Sequence, residues 1–345
     1  MPEIDTAFLT SICGKLAQDM NYRPEKPITD NNSTYCALQK EFAQYSPAQW
    51  FHNACLLAAT MAELPYPDHS EEVRYQIAKY TWLVLYVDDV EYNQAPERLE
   101  SFQRSIIDVT AEPESEFLRT FRKHLAEFYR LFEPSAANGI SLCGMEFIQG
   151  SFLEQMPKIQ SMKLTTASTS WPKFLRRKTG SSIAYAYMLF PKEVNVDITV
   201  YIQVIDDMTF FIDLLNDILS FYKEKLAGER PHYAYNRAAV TQRTIEDTLS
   251  DMVEDAIQAD SRVTQVLESS GNTSAVDIWR KFVNGYFGFH FTLKRYRLHD
   301  LGHGGREAAY KKQLEVETDV VDEWDDMVED DGAATLQGVR HEVIG

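Results

Sequence analysis

The sequence predicts an all-α protein built as a single-domain helical bundle. Three observations carry this. Apolar residues recur at helical spacing along most of the 345 residues and are interrupted by short polar breaks. Glycine and proline are sparse, at 15 and 13, which leaves room for long helices. No internal repeat and no long flexible linker divides the chain, and a hydrophobic content of 44% can build a sizeable core.

Taken in order, residues 48–63 (AQWFHNACLLAATMAE) form the first expected helix, ended by LPYPDHS. A second runs over 70–91, from SEEVRYQ into an apolar stretch. Thr81, Val84, Tyr86 and Val87 favour β structure there, but the length and the helical lead-in favour a helix. Further helices are expected at about 97–110, 114–132, 137–158, 171–190, 195–226, 243–268 and 274–298. PEKPITDNN and GERPHYAYN carry turn chemistry and read as connections. The expected organisation is an N-terminal segment (1–45) packing on or outside the bundle, the helical domain (46–312), and an acidic, flexible tail (313–345).

The net charge is −18, which argues against a nucleic-acid partner because nothing offsets the phosphates. Residues 315–331 hold ten of the acids and no base, the pattern of a solvated tail. Cys13, Cys36, Cys55 and Cys143 are scattered, with no CxxC pair. Without a secretory leader they read as free thiols in a reducing, cytoplasmic setting. The longest apolar runs, such as TWLVLYV, are too short to span a bilayer.

The chemistry begins in NDILSFYKE, residues 216–224. Residues four apart on an α-helix are rotated by only about 40°. Asn216, Ser220 and Glu224 therefore form one stripe of hard oxygen donors, the kind Mg²⁺ prefers. The plain alternative is the wet side of a helix, yet Ile218, Leu219, Phe221 and Tyr222 leave little wet side. A polar stripe in a core helix needs partners, and a metal is one. In LVLYVDDVEYN, an apolar helix ends in Asp88 and Asp89, with Glu91 and Asn93 behind. Adjacent carboxylates repel unless a cation sits beside them; the alternative is a charged helix end in water. The pair Asp206-Asp207 reads as capping or surface, and DDMVE at 325–329 lies in the acidic block with no apolar run leading into it. Two basic clusters complete the set: Arg176, Arg177 and Lys178 in FLRRKTG, and Lys294, Arg295, Tyr296 and Arg297 in KRYRL. Each alone could be a solvated face. With the acidic clusters they point to a site for Mg²⁺ and a diphosphate.

LVLYVDDVE, WPKFLRRKTG, FPKE at 190–193, NDILSFYKE and GYFGFHFTLKRYRL occur in the order and at the intervals of the fungal class I terpene cyclases. The chain resembles their trichodiene synthase type over roughly residues 70–300. The resemblance implies an isoprenoid-synthase helical bundle around a deep apolar cavity, a cytoplasmic sesquiterpene synthase, and farnesyl diphosphate as substrate. It implies three Mg²⁺ ions, with Mn²⁺ as an alternative, held by Asp88, Asn216, Ser220 and Glu224. Arg176, Lys223, Arg295 and Tyr296 correspond to diphosphate donors, with Arg177 the second choice for the first of them. Asp89 would pair with Arg295 in a closed form. The family's third carboxylate falls four or five places after the first. Here Tyr92 and Asn93 stand there and Glu91 one place earlier, so Glu91 and Asn93 stay open as ligands. A homodimer is expected from the family only.

Phe147, Phe152, Phe210 and Phe287 are the candidate cavity-lining rings, because aromatic faces attract a desolvated cation by about 0.5–2 kcal/mol each; plain core packing is the alternative for each. A chain-elongating prenyltransferase would need a second aspartate-rich motif where this chain has Asn, Ser and Glu. A catalytically inactive helical diphosphate-binding protein is the remaining rival.

Overall fold

A computed structural model describes residues 5–45, 48–88, 99, 102, 104–106, 108, 110–113, 115–228 and 233–303. The tail from 304 onward, Asp89, Glu91 and Asn93, and most of the helix expected at 97–110 lie outside the described residues. Residues 1–303 form one unit. Among the described residues the regular structure is helical throughout.

The principal helices are α1 (Thr6–Asp19), α2 (Ser33–Phe42), α3 (Ala48–Glu63), α4 (Glu71–Tyr86), α5 (Glu116–Leu131), α6 (Pro134–Gln155), α7 (Trp171–Thr179), α8 (Ser182–Tyr187), α9 (Ile205–Leu219), α10 (Phe221–Leu226), α11 (Tyr233–Thr241), α12 (Ile245–Ser269) and α13 (Thr273–Thr292). Side-chain oxygens start many of them. Asp5, Asn32, Ser70, Ser115, Thr244 and Asn272 each accept from a backbone N–H of the first turn. Pro134 opens α6 at a position where its missing N–H costs nothing.

Packing follows the buried faces. α5 turns Phe117, Leu118, Phe121, Leu125 and Phe128 inward at helical intervals. α9 differs, for nearly every residue from Met208 to Leu219 is buried, so it is the core helix. It lies against α12 along its length, with α8 and α13 on other sides; α6 in turn carries α5, α7 and α8. α13 comes close to the end of α3 because Gly285 lacks a side chain: a Cβ there would collide with the Leu64 carbonyl and approach the Pro65 nitrogen at 2.6 Å.

Several boundaries differ from expectation. The N-terminal segment contains two helices, α1 against α12 and α2 against α3 and α4. Half of GERPHYAYN is not a connection, since α11 begins at Tyr233. The stretch 171–190 is broken by Gly180 and by Ser181, whose backbone is left-handed at φ 51°. The stretch 195–226 is also divided, with a bend at Ser220 between α9 and α10. The β-prone end of α4 is helical to Tyr86 and then widens into a π turn at Val87 and Asp88.

No helix among the described residues is long and apolar enough to cross a membrane. Cys13, Cys55 and Cys143 are buried thiols and Cys36 is exposed.

Candidate active site

The core helix α9 carries polar side chains in one band. Asn216, Asp217, Ser220 and, on α10, Glu224 lie three, four, seven and eleven residues after Asp213, which puts all five on one helical face. The bend at Ser220 does not break the register, because the Ser220 N–H donates to the Asn216 carbonyl at 2.8 Å and the Glu224 N–H to the Ser220 carbonyl at 3.0 Å. The Ser220 hydroxyl donates to Glu224 Oε1 at 2.6 Å, so hydroxyl and carboxylate already stand side by side.

Arg176, in the last turn of α7, reaches across to this band. Its Nε donates to both oxygens of Asp217 at 2.8 and 2.9 Å. Its Nη1 lies 3.2 Å from Asp213 Oδ1, and its Nη2 donates to Asn216 Oδ1 at 3.1 Å. Gly180 makes this possible, since a Cβ there would collide with Arg176 Nη1 and Asp213 Oδ1. Ser182 donates to Asp213 Oδ1 at 2.6 Å. Burial works against the charge on Arg176, but Asp217 and Asp213 outweigh it and hold the guanidinium protonated. The neighbouring Arg177 turns outward to Asp206, which Lys173 also approaches at 3.7 Å, and Asp207 pairs with Arg262 at 2.7 Å. Lys178 pairs with Glu146.

Burial raises several of the carboxylates around this guanidinium. Asp213 is pushed up by burial, against the pull of Arg176 and Ser182. Asp217 is pushed up to about 7 by burial, with Asp213 and Glu224 adding repulsion. Glu154, at the end of α6, rises to about 7 through burial, then through the charges of Asp88, Asp217 and Glu224. Glu154 thus feels both the end of α4 and the α9–α10 band. Asp88 itself is exposed.

His290 on α13 closes the far side of Asn216. It is fully buried, its Nδ1 donates to the Tyr286 carbonyl at 2.8 Å, and its Nε2 lies 3.3 Å from Asn216 Nδ2. Burial drives its pKa down to about 3, so the ring is neutral. Tyr296, in the turn Lys294–Tyr296 after α13, is buried with its ring 4.5 Å from that of His290, and burial raises its hydroxyl above the usual phenol range. That turn packs against α10.

The other expected residues fall as follows. Lys223 and Arg295 are half-buried on α10 and in the 294–296 turn. Phe147 is buried on α6 and Phe152 is half-buried there. Two candidate rings are turned to other work: Phe287 stacks on Tyr22 at 5.4 Å, packing α13 against the N-terminal segment, and Phe210 lies 4.9 Å beneath the Lys173 ammonium. Sequence reasoning missed Glu154, Asp213, Asp217 and His290. Only the Asp213–Asp217 interval in an apolar helix signalled in advance that buried carboxylates would need a cation.

The donor set fits Mg²⁺: an amide, a hydroxyl and a carboxylate stand on one stripe. Burial of Glu154 and Asp217 sets a pH dependence for the metal-free protein. Glu154 and Asp217 have folded pKa values near 7, above their ordinary 4.5 and 3.8, so the folded state holds more protons between those values. Their contribution to stability is complete at acid pH and is lost as pH rises through about 7. Glu154→Gln is expected to flatten the fall of the urea midpoint between about pH 5 and pH 8. An unchanged slope would show that Glu154 titrates as an exposed carboxylate.

A family model described as Trichodiene synthase matches residues 18–320. Terpene synthase BipA from Cochliobolus sativus is 34% identical over 302 residues, covering 86% of this chain and 92% of that protein. Longiborneol synthase CLM1 from Gibberella zeae is 30% identical over 255 residues, 73% of this chain and 74% of its own. Among solved structures, a linalool/nerolidol synthase from Streptomyces clavuligerus in complex with 2-fluorogeranyl diphosphate superposes with a TM-score of 0.52 at 11% identity, over 84% of this chain and 98% of that one. That likeness is one of fold.

Proposed function

The chain belongs to the trichodiene synthase family of fungal terpene synthases, and from that membership we propose that it is a sesquiterpene synthase. In this reading it ionises and cyclises farnesyl diphosphate to a cyclic hydrocarbon or alcohol and releases diphosphate. The observation that carries the proposal is the meeting of the α7 arginine with the α9–α10 stripe, where Arg176 reaches Asn216 and Asp217 and Ser220 reaches Glu224. The relative from Metarhizium brunneum named (E)-beta farnesene synthase, 27% identical over 250 residues, supports the fifteen-carbon substrate.

Asp88, Asn216, Ser220 and Glu224 would hold Mg²⁺, for which Mn²⁺ could substitute. When bound, the metal supplies Lewis-acid stabilisation of the departing diphosphate. The chain's own residues do the rest. Arg176, Lys223, Arg295 and Tyr296 donate to the diphosphate as negative charge gathers on it, a stabilisation that grows as the carbon–oxygen bond lengthens. Arg176 is held charged by Asp213 and Asp217 and reaches the diphosphate by exchanging carboxylate oxygens for phosphate oxygens. Buried rings such as Phe147 exclude water, which would otherwise quench the carbocation.

The test is incubation of the purified protein with farnesyl diphosphate and Mg²⁺, with gas chromatography of the extract. The expected result is a cyclic fifteen-carbon hydrocarbon or alcohol. A longer diphosphate would mean chain elongation. Farnesyl, geranyl and geranylgeranyl diphosphates all returned untouched would leave an inactive binding protein. Because a relative from Postia placenta is named Monoterpene synthase 25, turnover of geranyl diphosphate alone would correct the chain length.

A further inference from the structure

We propose that His290 is a positioning residue, holding the Asn216 carboxamide so that its oxygen, and not its nitrogen, faces the metal and diphosphate side. The proposal deepens the reading above and rests on it.

The two ends of a carboxamide look alike in shape and are opposite in chemistry. Oδ1 can bind a hard cation, and Nδ2, a double donor, cannot. An asparagine ligand is therefore useful only if its amide is kept from turning over. Asn216 is held at both ends. Arginine offers donors only, so the atom 3.1 Å from Arg176 Nη2 must be the oxygen. At the other end stands His290 Nε2, 3.3 Å from Asn216 Nδ2. The Tyr286 carbonyl, an acceptor, occupies Nδ1 at 2.8 Å, so Nδ1 carries the ring hydrogen and Nε2 presents a lone pair. The two contacts agree, and each fixes the same orientation.

The two constraints differ in permanence. Arg176 is also the expected diphosphate donor, and the diphosphate competes for its Nη2. Once it is engaged there, His290 is the remaining restraint on the amide among the described residues. His290 stays because it has nowhere to go: it is fully buried, packed against the rings of Tyr286, Phe289 and Tyr296 at 4.8, 4.9 and 4.5 Å. A flipped amide would set oxygen against the Nε2 lone pair and leave a donor facing the cation, so both contacts would be lost together. Partners that orient metal ligands in this way are worth about 10–100-fold in metal affinity.

The experiment measures binding of Mg²⁺ with inorganic diphosphate by calorimetry, together with the urea stability of the unliganded protein. His290→Phe keeps a buried ring and removes the acceptor; its Mg²⁺ affinity is expected to fall by about 10–100-fold. His290→Gln restores an acceptor at the reach of Nε2 and is expected to recover affinity to within about threefold of wild type. In an Asn216→Asp background, whose carboxylate presents oxygen either way, His290→Phe is expected to change the affinity little. Equal losses in the Phe and Gln variants, or an undiminished His290→Phe effect in the Asn216→Asp background, would reduce His290 to packing. If His290→Phe does not fold, the Gln variant decides: affinity near wild type supports the proposal, and loss as large as that of Asn216→Ala overturns it. Asn216→Ala also separates the two levels. If it binds Mg²⁺ and diphosphate as wild type does, the metal reading itself fails. If it loses binding while His290→Phe does not, only the role of His290 fails.

Discussion

Arg176→Ala is expected to lower the unfolding free energy of the metal-free protein by about 3–5 kcal/mol, read from urea denaturation. The loss comes less from the ion pairs than from what remains. The side chains of Asp213 and Asp217 are only 5% and 7% exposed, and the alanine variant leaves both carboxylates without their cation. The orphaned carboxylates would respond by taking up protons, so the deficit is expected to shrink as pH falls. Burial already raises both pKa values, and removal of the guanidinium raises them further, so their repulsion is present above the new values and relieved below them. Asp217→Asn in the Arg176→Ala background removes one stranded charge and is expected to recover part of the loss. The double variant must be the more stable of the two. If Arg176→Ala alone unfolds at the wild-type urea midpoint, the guanidinium is not shielded from water and the network described here is absent.

Much of the helical frame was legible because it rests on local chemistry. The first expected helix, 48–63, coincides with α3. α5 and α12 fall within two residues of expectation, since these two join a serine or threonine cap to a regular apolar face. α1 was legible in principle: Leu9, Ile12, Cys13 and Leu16 follow the helical interval behind an aspartate cap.

The breaks were not legible, for a tertiary reason. Gly180 interrupts 171–190 where the chain must leave room for Arg176 to fold back on Asp213, and nothing in FLRRKTG says which carboxylate lies behind it. The same holds for the site. The stripe Asn216, Ser220 and Glu224 belongs to one helix and could be read from spacing. Glu154 and His290 meet it from α6 and α13, and the meeting depends on how three helices cross. Arg176 and Arg177 are adjacent in sequence, and only the packing of α7 on the bundle turns one inward and the other to Asp206.

Glu224→Gln is expected to lower turnover of farnesyl diphosphate by about 10²–10³-fold, the scale of removing one group from a charge-stabilising site. Its stability, by contrast, is expected to stay within about 1 kcal/mol of wild type, and to rise if it moves. The glutamine oxygen can still accept from Ser220, so the 2.6 Å hydrogen bond survives, and the backbone bond from residue 224 to the Ser220 carbonyl is untouched. What is lost is one negative charge among Asp88, Glu154 and Asp217, carboxylates that repel one another when no metal is bound. Removing it relieves the metal-free protein and weakens the metal complex, so the two readouts move in opposite directions. The thermal midpoint without metal should hold or climb, while the further rise on adding Mg²⁺ and inorganic diphosphate should shrink. A side chain that merely packed would drag both midpoints down together, and that result would return Glu224 to the structural framework and leave the stripe without its metal.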